Sequence, residues 1–323
     1  MELPFLDADT LMSLVPWQAA VDALESALAA GAAAAGGPPR SVVAEQHGEL
    51  LLMPAASSTG VGVKVTSVAP GNPARGLPRI QAVYVLLDAD TLTPQLLLDG
   101  TALTTLRTPA VSALAVRSLA RPDAGSLLVF GTGPQAWGHV HAIATVRPLS
   151  RVRVVGRDRG RLATLLDRLR AEGIAAAAGT AGDVADADIV VCATTAARPV
   201  FDGRLLAEHA CVVAVGSHTP DARELDDAVF ARAGRVVVEE RSAALREAGD
   251  VLAAIAAGVL DAADLIELAS LVSGRPASSG PASSEPVPGV AVFKSVGMGW
   301  EDLAVAEAAL AAGRRAGPAA GRR

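Results

Sequence analysis

The sequence predicts an α/β protein built from a mixed section of consecutive strands followed by a doubly wound parallel sheet. Between residues 49 and 98, strand-like runs follow one another directly, which is typical of antiparallel pairing. From residue 126 onward, short apolar runs alternate with helical stretches, which is the pattern of a parallel sheet covered on both faces. The length of 323 residues allows two domains.

Composition excludes several classes of protein. Hydrophobic residues make up 51% of the chain and charged residues 19%, so the chain is expected to fold rather than to be disordered. A net charge of −6 argues against a nucleic-acid partner. The N-terminus lacks a basic region followed by an apolar core, and no apolar stretch is long enough to span a membrane. We therefore expect a cytoplasmic protein with no membrane partner.

The basic and sulfur-containing residues are unevenly used. Only Lys64 and Lys294 are lysines among 28 basic residues. A GC-rich genome explains the excess of arginine, but a lysine that remains marks a position where a guanidinium would not serve. Cys192 and Cys211 lie inside apolar runs and are expected to be buried thiols. No Cys or His spacing indicates a metal site.

The first section is predicted from residue 7 to residue 119. Residues 7–31 form two helical pieces divided near Pro16. A helix over Ala102–Leu119 has Thr101 as its expected N-cap. The expected strands between them are Glu49–Met53, Gly62–Val68, Ile80–Asp88 and Gln95–Leu98.

The second section alternates strands with helices. The expected helices are Gln135–Ala144, Gly160–Glu172 and Glu301–Ala312. Residues 274–289 are predicted to be a surface loop because Ser, Pro and Gly dominate them, and residues 313–323 a frayed tail. The expected strands are Ser126–Phe130, Arg151–Val155, Asp188–Ala193, Cys211–Val215, Arg235–Glu239 and Val290–Ser295.

A glycine-rich turn lies between the first of these strands and its helix, in the sequence GTGPQA at 131–136. Gly131 permits a tight turn, Gly133 lets a pyrophosphate approach the backbone, and Ala136 allows close packing of helix on strand. The free N–H groups of the helix N-terminus suit phosphate. The turn therefore predicts a Rossmann domain that binds a dinucleotide through Gly131, Thr132, Gly133, Pro134, Gln135 and Ala136.

The end of the next strand selects the cofactor. An acidic residue there binds the ribose hydroxyl of NAD, and an arginine accepts the 2′-phosphate of NADP. The sequence has Arg157 followed by Asp158, so NADP is expected, with NAD possible. The alternative interpretation is that Arg157 and Arg159 are a solvated surface pair.

Motifs in order along nearly the whole chain resemble the ornithine cyclodeaminase/mu-crystallin family. They are Arg40, LLMPA (51–55), GVKV (62–65), PGNP (70–73) with GLP (76–78), LRTPA (106–110), GTGPQA (131–136), GSHTP (216–220) with REL (223–225), EAGD (247–250), and FKSVG (293–297) with EDL (301–303).

The resemblance implies homodimers in which a Rossmann domain is inserted into a second α+β domain for dimerisation and substrate binding. The expected boundaries are 119–292 for the NAD(P)-binding domain, and 1–118 with 293–323 for the other domain. Members interconvert amino, imino and oxo acids with NAD(H) or NADP(H). Further cofactor contacts are expected at Thr108, Ala193, Thr194, Thr195, Val215, Gly216, Ser217, Ser295, Val296 and Gly297.

Three basic residues resemble those with which the family binds its substrate. Arg40 and Arg107 match the arginines that hold the substrate carboxylate, and a guanidinium suits a carboxylate because it binds both oxygens. Lys64 matches the family lysine at the substrate. Its ammonium can hydrogen-bond the carboxylate or carbonyl of the substrate and pass a proton, since burial lowers the pKa of a lysine. The resemblance thus implies a site of Arg40, Lys64 and Arg107, with Lys64 also catalytic.

One position departs from the cyclodeaminases. Where they carry an Asp that acts on the side-chain amine of the substrate, this chain has His218, which exchanges protons but offers no fixed negative charge. We therefore expect a catalytic His218 in an NAD(P)H-dependent reductase of a small α-imino acid or cyclic ketimine such as Δ1-pyrroline-2-carboxylate. The alternatives are an ornithine cyclodeaminase or alanine-type dehydrogenase, and a non-enzymatic cofactor or ligand binder.

Two features stay without a chemical role at this stage. Lys294 is interpreted as an ion-pair partner or a residue at a helix start. Glu301 and Asp302 are interpreted as acids that complement the dipole of the last helix.

Overall fold

The computed structural model describes residues 3–32, 37–273 and 288–316. It divides into unit 1, Met1–Thr108 with Met298–Arg323, and unit 2, Pro109–Gly297. The boundaries expected from the sequence, after residues 118 and 292, differ from this division. The second half of the helix that begins at Gly100 is hydrogen-bonded within unit 2, since Arg147 donates to the carbonyls of Val116, Arg117 and Ala120.

In chain order the elements are β1 (Phe5–Leu6), α1 (Ala8–Leu14), α2 (Trp17–Ala29), β2 (Ser41–Glu45), β3 (Gly48–Ala56), β4 (Gly60–Val68), β5 (Ile80–Asp88), β6 (Pro94–Asp99), α3 (Gly100–Leu119), β7 (Ser126–Phe130), α4 (Pro134–Ala144), β8 (Arg151–Val155), α5 (Arg159–Ala171), β9 (Ala176–Ala178), β10 (Ile189–Cys192), β11 (Cys211–Ala214), α6 (Asp227–Ala231), β12 (Ala233–Val238), α7 (Arg241–Glu247), α8 (Gly249–Ala256), β13 (Leu265–Glu267), α9 (Leu268–Ser273), β14 (Val290–Lys294) and α10 (Gly299–Ala316). Short 3₁₀ turns connect several of them.

Unit 1 is built on a six-stranded sheet in the order β1-β6-β5-β4-β3-β2. All pairs are antiparallel except β1 with β6. Burial alternates residue by residue along β4, so one face of the sheet is covered and the other is more open. Helix α10 packs on α2 and on β3 and β4.

Unit 2 contains an eight-stranded parallel sheet in the order β13-β12-β14-β11-β10-β7-β8-β9. The strands β7, β10 and β11 are buried along their whole length, as expected of a sheet covered on both faces. The chain runs outward from β7 through β8 to β9, and then returns to β10 on the other side of β7. The predicted α/β class with a doubly wound sheet is confirmed.

Several details differ from the expectation, and three of them concern the ends of helices and the sheet of unit 1. Helix α3 begins at Gly100, and Asp99 takes the capping role expected of Thr101, because its carboxylate accepts the N–H groups of Thr101 and Ala102 at 2.8 and 2.9 Å. Helix α10 continues to Ala316, into the segment expected to fray. The exposed edge strand β2 was not predicted.

Other expectations are met or lie outside the described residues. The helices α1 and α2 divide at Pro16, and the strand β5 has the predicted bounds. Cys192 and Cys211 are buried free thiols in β10 and β11. Most of the predicted loop, 274–287, and the end of the tail, 317–323, lie outside the description. No helix in the described part of the chain has the length and apolar character that a membrane span requires.

Candidate functional site

Two buried cations and two buried carboxylates meet in unit 1. The Lys64 ammonium, on β4, lies 2.9 and 2.8 Å from Oδ1 and Oδ2 of Asp302 and donates to Thr104 Oγ1 at 3.1 Å. Arg107, on α3, donates from Nε to Asp302 Oδ1 at 3.2 Å and from Nη1 to Glu301 Oε2. We call Lys64, Arg107, Glu301 and Asp302 the ionic cluster.

Local sequence explains how these four side chains meet. The alternation of β4 places Lys64 on the covered face. On the opposite side, Glu301 and Asp302 lie in the first turn of α10, which begins at Gly299. A Cβ at Gly299 would lie 2.7 Å from the carbonyl oxygen of Pro54, so glycine lets the start of α10 approach β3 closely enough to bring its acids to β4.

Strand register relates Arg40 to the ionic cluster. Residues 41–45 of β2 pair with β3 so that position 40, extended by one residue, aligns with Met53. Met53 in turn pairs with Lys64, and Lys64 with Tyr84. Arg40 is half-buried and directly precedes β2, and two strand spacings, about 10 Å, separate it from Lys64 if the register of β2 continues by that one residue. This span suits a small carboxylate held between two long basic side chains.

The four charges of the ionic cluster balance one another, with two cations, Lys64 and Arg107, against two carboxylates, Glu301 and Asp302. Burial lowers the pKa of Lys64 from 10.5 to about 8, although the nearby Asp302 carboxylate opposes this change. Lys64 can therefore exchange its proton close to neutral pH.

Glu301 and Asp302 lie in the first turn of α10, as the dipole interpretation expects, but they have a further role that was not predicted. Both side chains are fully buried, and they bind Lys64 and Arg107. The sequence did contain a signal for this role, namely the pair of adjacent acids. Two basic residues that are expected to be buried need partners of opposite charge.

The glycine-rich turn of unit 2 fits a dinucleotide. Gly131 has φ +122°, and a Cβ there would lie 2.3 Å from the carbonyl oxygen of Ala193. Gly133 caps α4, and a Cβ there would meet nothing within 4 Å, so the space before the helix N-terminus is open. Ala136 is fully buried where α4 packs on the sheet. A tight turn, an open approach and a helix N-terminus are what a pyrophosphate needs.

The sheet order gathers the expected cofactor residues at one edge. The chain reverses direction of winding between β7 and β10, and ligands of such sheets bind outside the carboxyl ends of the strands at that point. Residues 131–136 follow β7, and residues 193–195 follow β10. Residues 157–158 follow β8, 215–217 follow β11, and 295–297 follow β14. Thr108 lies in α3 and belongs to unit 1.

Arg157 and Asp158, which are expected to select the cofactor, differ in the contacts that their side chains make. The Asp158 carboxylate caps α5 by accepting the N–H of Arg161 at 3.0 Å. Arg157 is exposed immediately after β8. Because the carboxylate already binds its own helix, the arginine is the more available of the two for a ribose substituent.

Buried carboxylates hold two loops at this edge. Glu239, at the end of β12, accepts the Ser295 hydroxyl at 2.6 Å and the N–H groups of Val296 and Gly297 at 2.8 and 3.1 Å. Glu224 accepts the N–H of Thr194 and that of Gly216, each at 2.7 Å. No role was predicted for either carboxylate, although Glu224 belongs to the REL motif at 223–225.

The histidines have distinct surroundings. His218 is half-buried and follows Ser217 in the loop after β11. His139 is fully buried, bonded to Ser112 Oγ at 2.9 Å, and burial lowers its pKa to about 4. His141 and His209 pair with carboxylates. In the residues that the structure describes, no group of His, Cys, Asp and Glu could hold a metal ion.

Known proteins resemble this chain over its whole length. The model of the ornithine cyclodeaminase/mu-crystallin family matches residues 3–310. A Δ1-pyrroline-2-carboxylate/Δ1-piperideine-2-carboxylate reductase of Azospirillum brasilense is 35% identical, over 98% of each chain. The structure of Δ1-pyrroline-2-carboxylate reductase of Thermococcus litoralis with NADH and L-proline has a TM-score of 0.88 at 28% identity, over 98% of both chains. An archaeal alanine dehydrogenase dimer with bound NAD has a TM-score of 0.87 at 26% identity, over 98% of this chain and 97% of that one.

Proposed function

Since the chain belongs to the ornithine cyclodeaminase/mu-crystallin family, we propose that it is an NAD(P)H-dependent reductase of small α-imino acids, with cyclic ketimines such as Δ1-pyrroline-2-carboxylate as substrates. The observation that carries the proposal is the ionic cluster, which buries two basic side chains, Lys64 and Arg107, together against Asp302. The reductase from Azospirillum brasilense, similar over 98% of both chains, supports the choice of substrate.

Arg40, Lys64 and Arg107 bind the substrate carboxylate in this proposal. Asp302 and Glu301 hold Lys64 and Arg107 in place, because each basic side chain is already hydrogen-bonded to a carboxylate of α10. Side chains locked in this way lose little freedom when the substrate binds, and the reacting carbon is oriented more narrowly.

The residues of unit 2 that would hold the cofactor are those of the turn 131–136, together with Thr194, Gly216 and residues 295–297. Arg157 would bind a 2′-phosphate, which makes NADPH the preferred cofactor and NADH the weaker one. When bound, the reduced nicotinamide supplies the hydride that adds to the imine carbon. The balance of the reaction is imino acid, hydride and one proton giving the amino acid.

The proton at the substrate nitrogen is assigned to Lys64 and His218. The pKa of Lys64, lowered to about 8 by burial, makes its ammonium a competent acid near neutral pH. His218 is the second group, since an imidazole can both donate and accept a proton. His218 also supports a reductase over an ornithine cyclodeaminase, because an imidazole offers no fixed negative charge to a distal ammonium group.

The experiment measures oxidation of NADPH and NADH with a panel of cyclic and acyclic imino acids. Reduction of a cyclic ketimine is expected, with NADPH the better cofactor. Release of ammonia from ornithine, or reduction of NAD+ with alanine, would indicate the other family activities. In Lys64→Met, kcat/KM should fall by about 10- to 100-fold, the worth of one charged hydrogen bond, while NADPH affinity is kept. Absence of turnover with every imino acid would refute the proposal.

We also propose that the protein is a homodimer formed through the sheet of unit 1. The edge strand β2 is exposed along its whole length and carries Val42 and Val43 at 56% and 43% exposure. An uncovered apolar edge of this kind is a place for pairing with a second chain. Val42→Lys should produce monomers in light scattering after gel filtration, whereas an unchanged mass would contradict this interface.

A further inference from the structure

The second lysine of the chain is buried at the carboxyl edge of the unit 2 sheet. Lys294 ends β14, and its side chain is fully buried. Its ammonium donates to the carbonyl oxygen of Ser217 at 2.7 Å and to the Ser217 hydroxyl at 3.0 Å, and it lies 3.0 Å from Oδ2 of Asp250. Three acceptors therefore meet the three N–H groups of one ammonium.

Lys294 holds the peptide group from which His218 begins. The carbonyl oxygen of Ser217 and the N–H of His218 belong to one planar peptide unit, so a bond to that oxygen fixes the plane. The Ser217 side chain is held as well, because its hydroxyl donates to Asp250 Oδ2 at 2.6 Å. The backbone that precedes the half-buried imidazole of His218 is thus fixed from two sides.

The same network closes the far end of the loop. Asp250 Oδ1 accepts the N–H groups of Glu224 and Leu225 at 2.7 and 2.8 Å. The Glu224 carboxylate returns to the start of the loop by accepting the N–H of Gly216 at 2.7 Å. The loop 216–225 is therefore tied at both ends to one buried group of charges, and Lys294 contributes the positive charge.

The charge of Lys294 keeps this network in its ionised form. Burial would raise the pKa of Asp250, but the positive charge of Lys294 and the hydrogen bonds from Ser217 and Leu225 outweigh it, so the pKa is lowered. Burial raises the pKa of Glu224, and Lys294 opposes that change also. An ionised Asp250 is the form that accepts two backbone N–H groups and a hydroxyl most strongly.

We propose that Lys294 is a positioning residue, which orients His218 for proton exchange by fixing the Ser217–His218 peptide plane. It touches neither substrate nor cofactor in this role. The proposal rests on the function proposed above for His218. A guanidinium would not replace the ammonium, because its planar fork of five donors does not match three acceptors gathered around one point.

The test distinguishes two roles of Lys294, the orientation of His218 and the neutralisation of the buried Asp250 carboxylate. Lys294→Met alone leaves the buried Asp250 without its cation and is expected to destabilise the protein. Lys294→Met with Asp250→Asn removes both charges and keeps an oxygen that accepts the N–H groups of Glu224 and Leu225. Asp188→Asn is the matched control, since Asp188 lies before β10 at the amino edge of the same sheet.

Three measurements are made on the full-length variants. The double variant should recover the melting temperature but lose kcat by about tenfold or more, with the dissociation constant of NADPH changed by less than about twofold. In a His218→Gln background, the same two substitutions should lower kcat by no more than about twofold, because Lys294 acts through His218. In protein labelled with ¹⁵N-histidine, the ring resonances of His218 should differ between the double variant and the wild type, while those of His139 should not.

The outcomes are decisive in either direction. Wild-type kcat in the double variant, or a full further loss in the His218→Gln background, would overturn the positioning role. A loss of NADPH affinity that accounts for the whole loss of activity would assign Lys294 a purely structural role and also overturn it. If the wild-type protein reduces no imino acid, the proposed function fails, and the resonances of His218 alone then decide whether Lys294 orients that ring.

Discussion

Binding of a carboxylate by unit 1 should weaken as the pH rises from 7 to 9, because Lys64 loses its proton in that range. Burial lowers the pKa of Lys64 to about 8. With that pKa, about nine tenths of the molecules carry the ammonium at pH 7 and about one tenth at pH 9. If only the protonated form holds the carboxylate, affinity falls about tenfold, which corresponds to about 1.4 kcal/mol.

The assay is calorimetric titration with pyrrole-2-carboxylate, a planar analogue whose ring does not titrate in this range, in the presence of saturating NADP+. Lys64→Met removes the titrating group, so its affinity should be about 10- to 100-fold weaker at pH 7 and should not vary with pH. Asp302→Asn removes the carboxylate that raises the pKa of Lys64, so the loss of affinity should begin at a lower pH than in the wild type.

A change of protein stability with pH would not produce the same fall in carboxylate affinity. The pKa of Lys64 is about 8 in the folded protein and 10.5 for an ordinary exposed lysine, so between these values the unfolded chain binds more protons. The contribution of this group to stability therefore increases as the pH rises through that window, while its contribution to binding decreases. A wild-type affinity that is constant from pH 7 to 9, or a loss that persists in Lys64→Met, would refute the reasoning.

Four further substitutions test both units. Arg107→Lys should raise KM by about tenfold or more and leave NADPH affinity unchanged, because an ammonium does not bridge two carboxylates as the guanidinium does. Gly131→Ala should destabilise the protein by about 1–3 kcal/mol in denaturant unfolding, since the left-handed backbone and the Ala193 oxygen both oppose a Cβ. Gly133→Ala, where a Cβ meets nothing, should keep the unfolding midpoint but weaken NADPH binding measured by fluorescence. Arg157→Ala should weaken NADPH by about tenfold and NADH little, and equal losses would contradict the role of Arg157.

Much of the fold could be predicted from the periodicity of apolar residues and from the turn residues between elements. The bounds of β5, β7 and β8 were predicted as found, because apolar centres and turn residues mark their ends. The strand β2 was missed because all five of its residues are exposed, so no face carries an apolar alternation. Its pairing with β3 gives it regular structure without burial, and single-sequence patterns do not report pairing.

The sequence predicted a site residue only where the residue differed in polarity from its neighbours. Lys64 stood out as a charge inside an apolar strand, and the structure buries it. Its partner Asp302 is 238 positions away, and such a separation carries no local signal. Lys294 and Asp250 meet in the same way, through strands and helices that only the folded sheet brings together. Charge balance is the general guide here, since a buried cation requires a buried anion somewhere in the chain.

Hydrogen-bond geometry explains why both positions carry lysine rather than arginine. This explanation is independent of any role of a lysine in proton exchange. Lys64 meets two oxygens of Asp302 and one of Thr104, and Lys294 meets two of Ser217 and one of Asp250. A guanidinium would bring five N–H groups to three acceptors at Lys294, and at Lys64 to the two hydrogen-bond acceptors Asp302 Oδ1 and Thr104 Oγ1. At either place it would leave N–H groups without partners, at about 1–3 kcal/mol each. An arginine-rich genome would thus keep lysine at both positions for hydrogen bonding alone. At Lys64, where the pKa lies near 8, the choice also permits a proton to leave. Lys64→Arg should therefore lose stability as Lys294→Arg does, whereas the loss of carboxylate affinity with rising pH belongs to Lys64 alone.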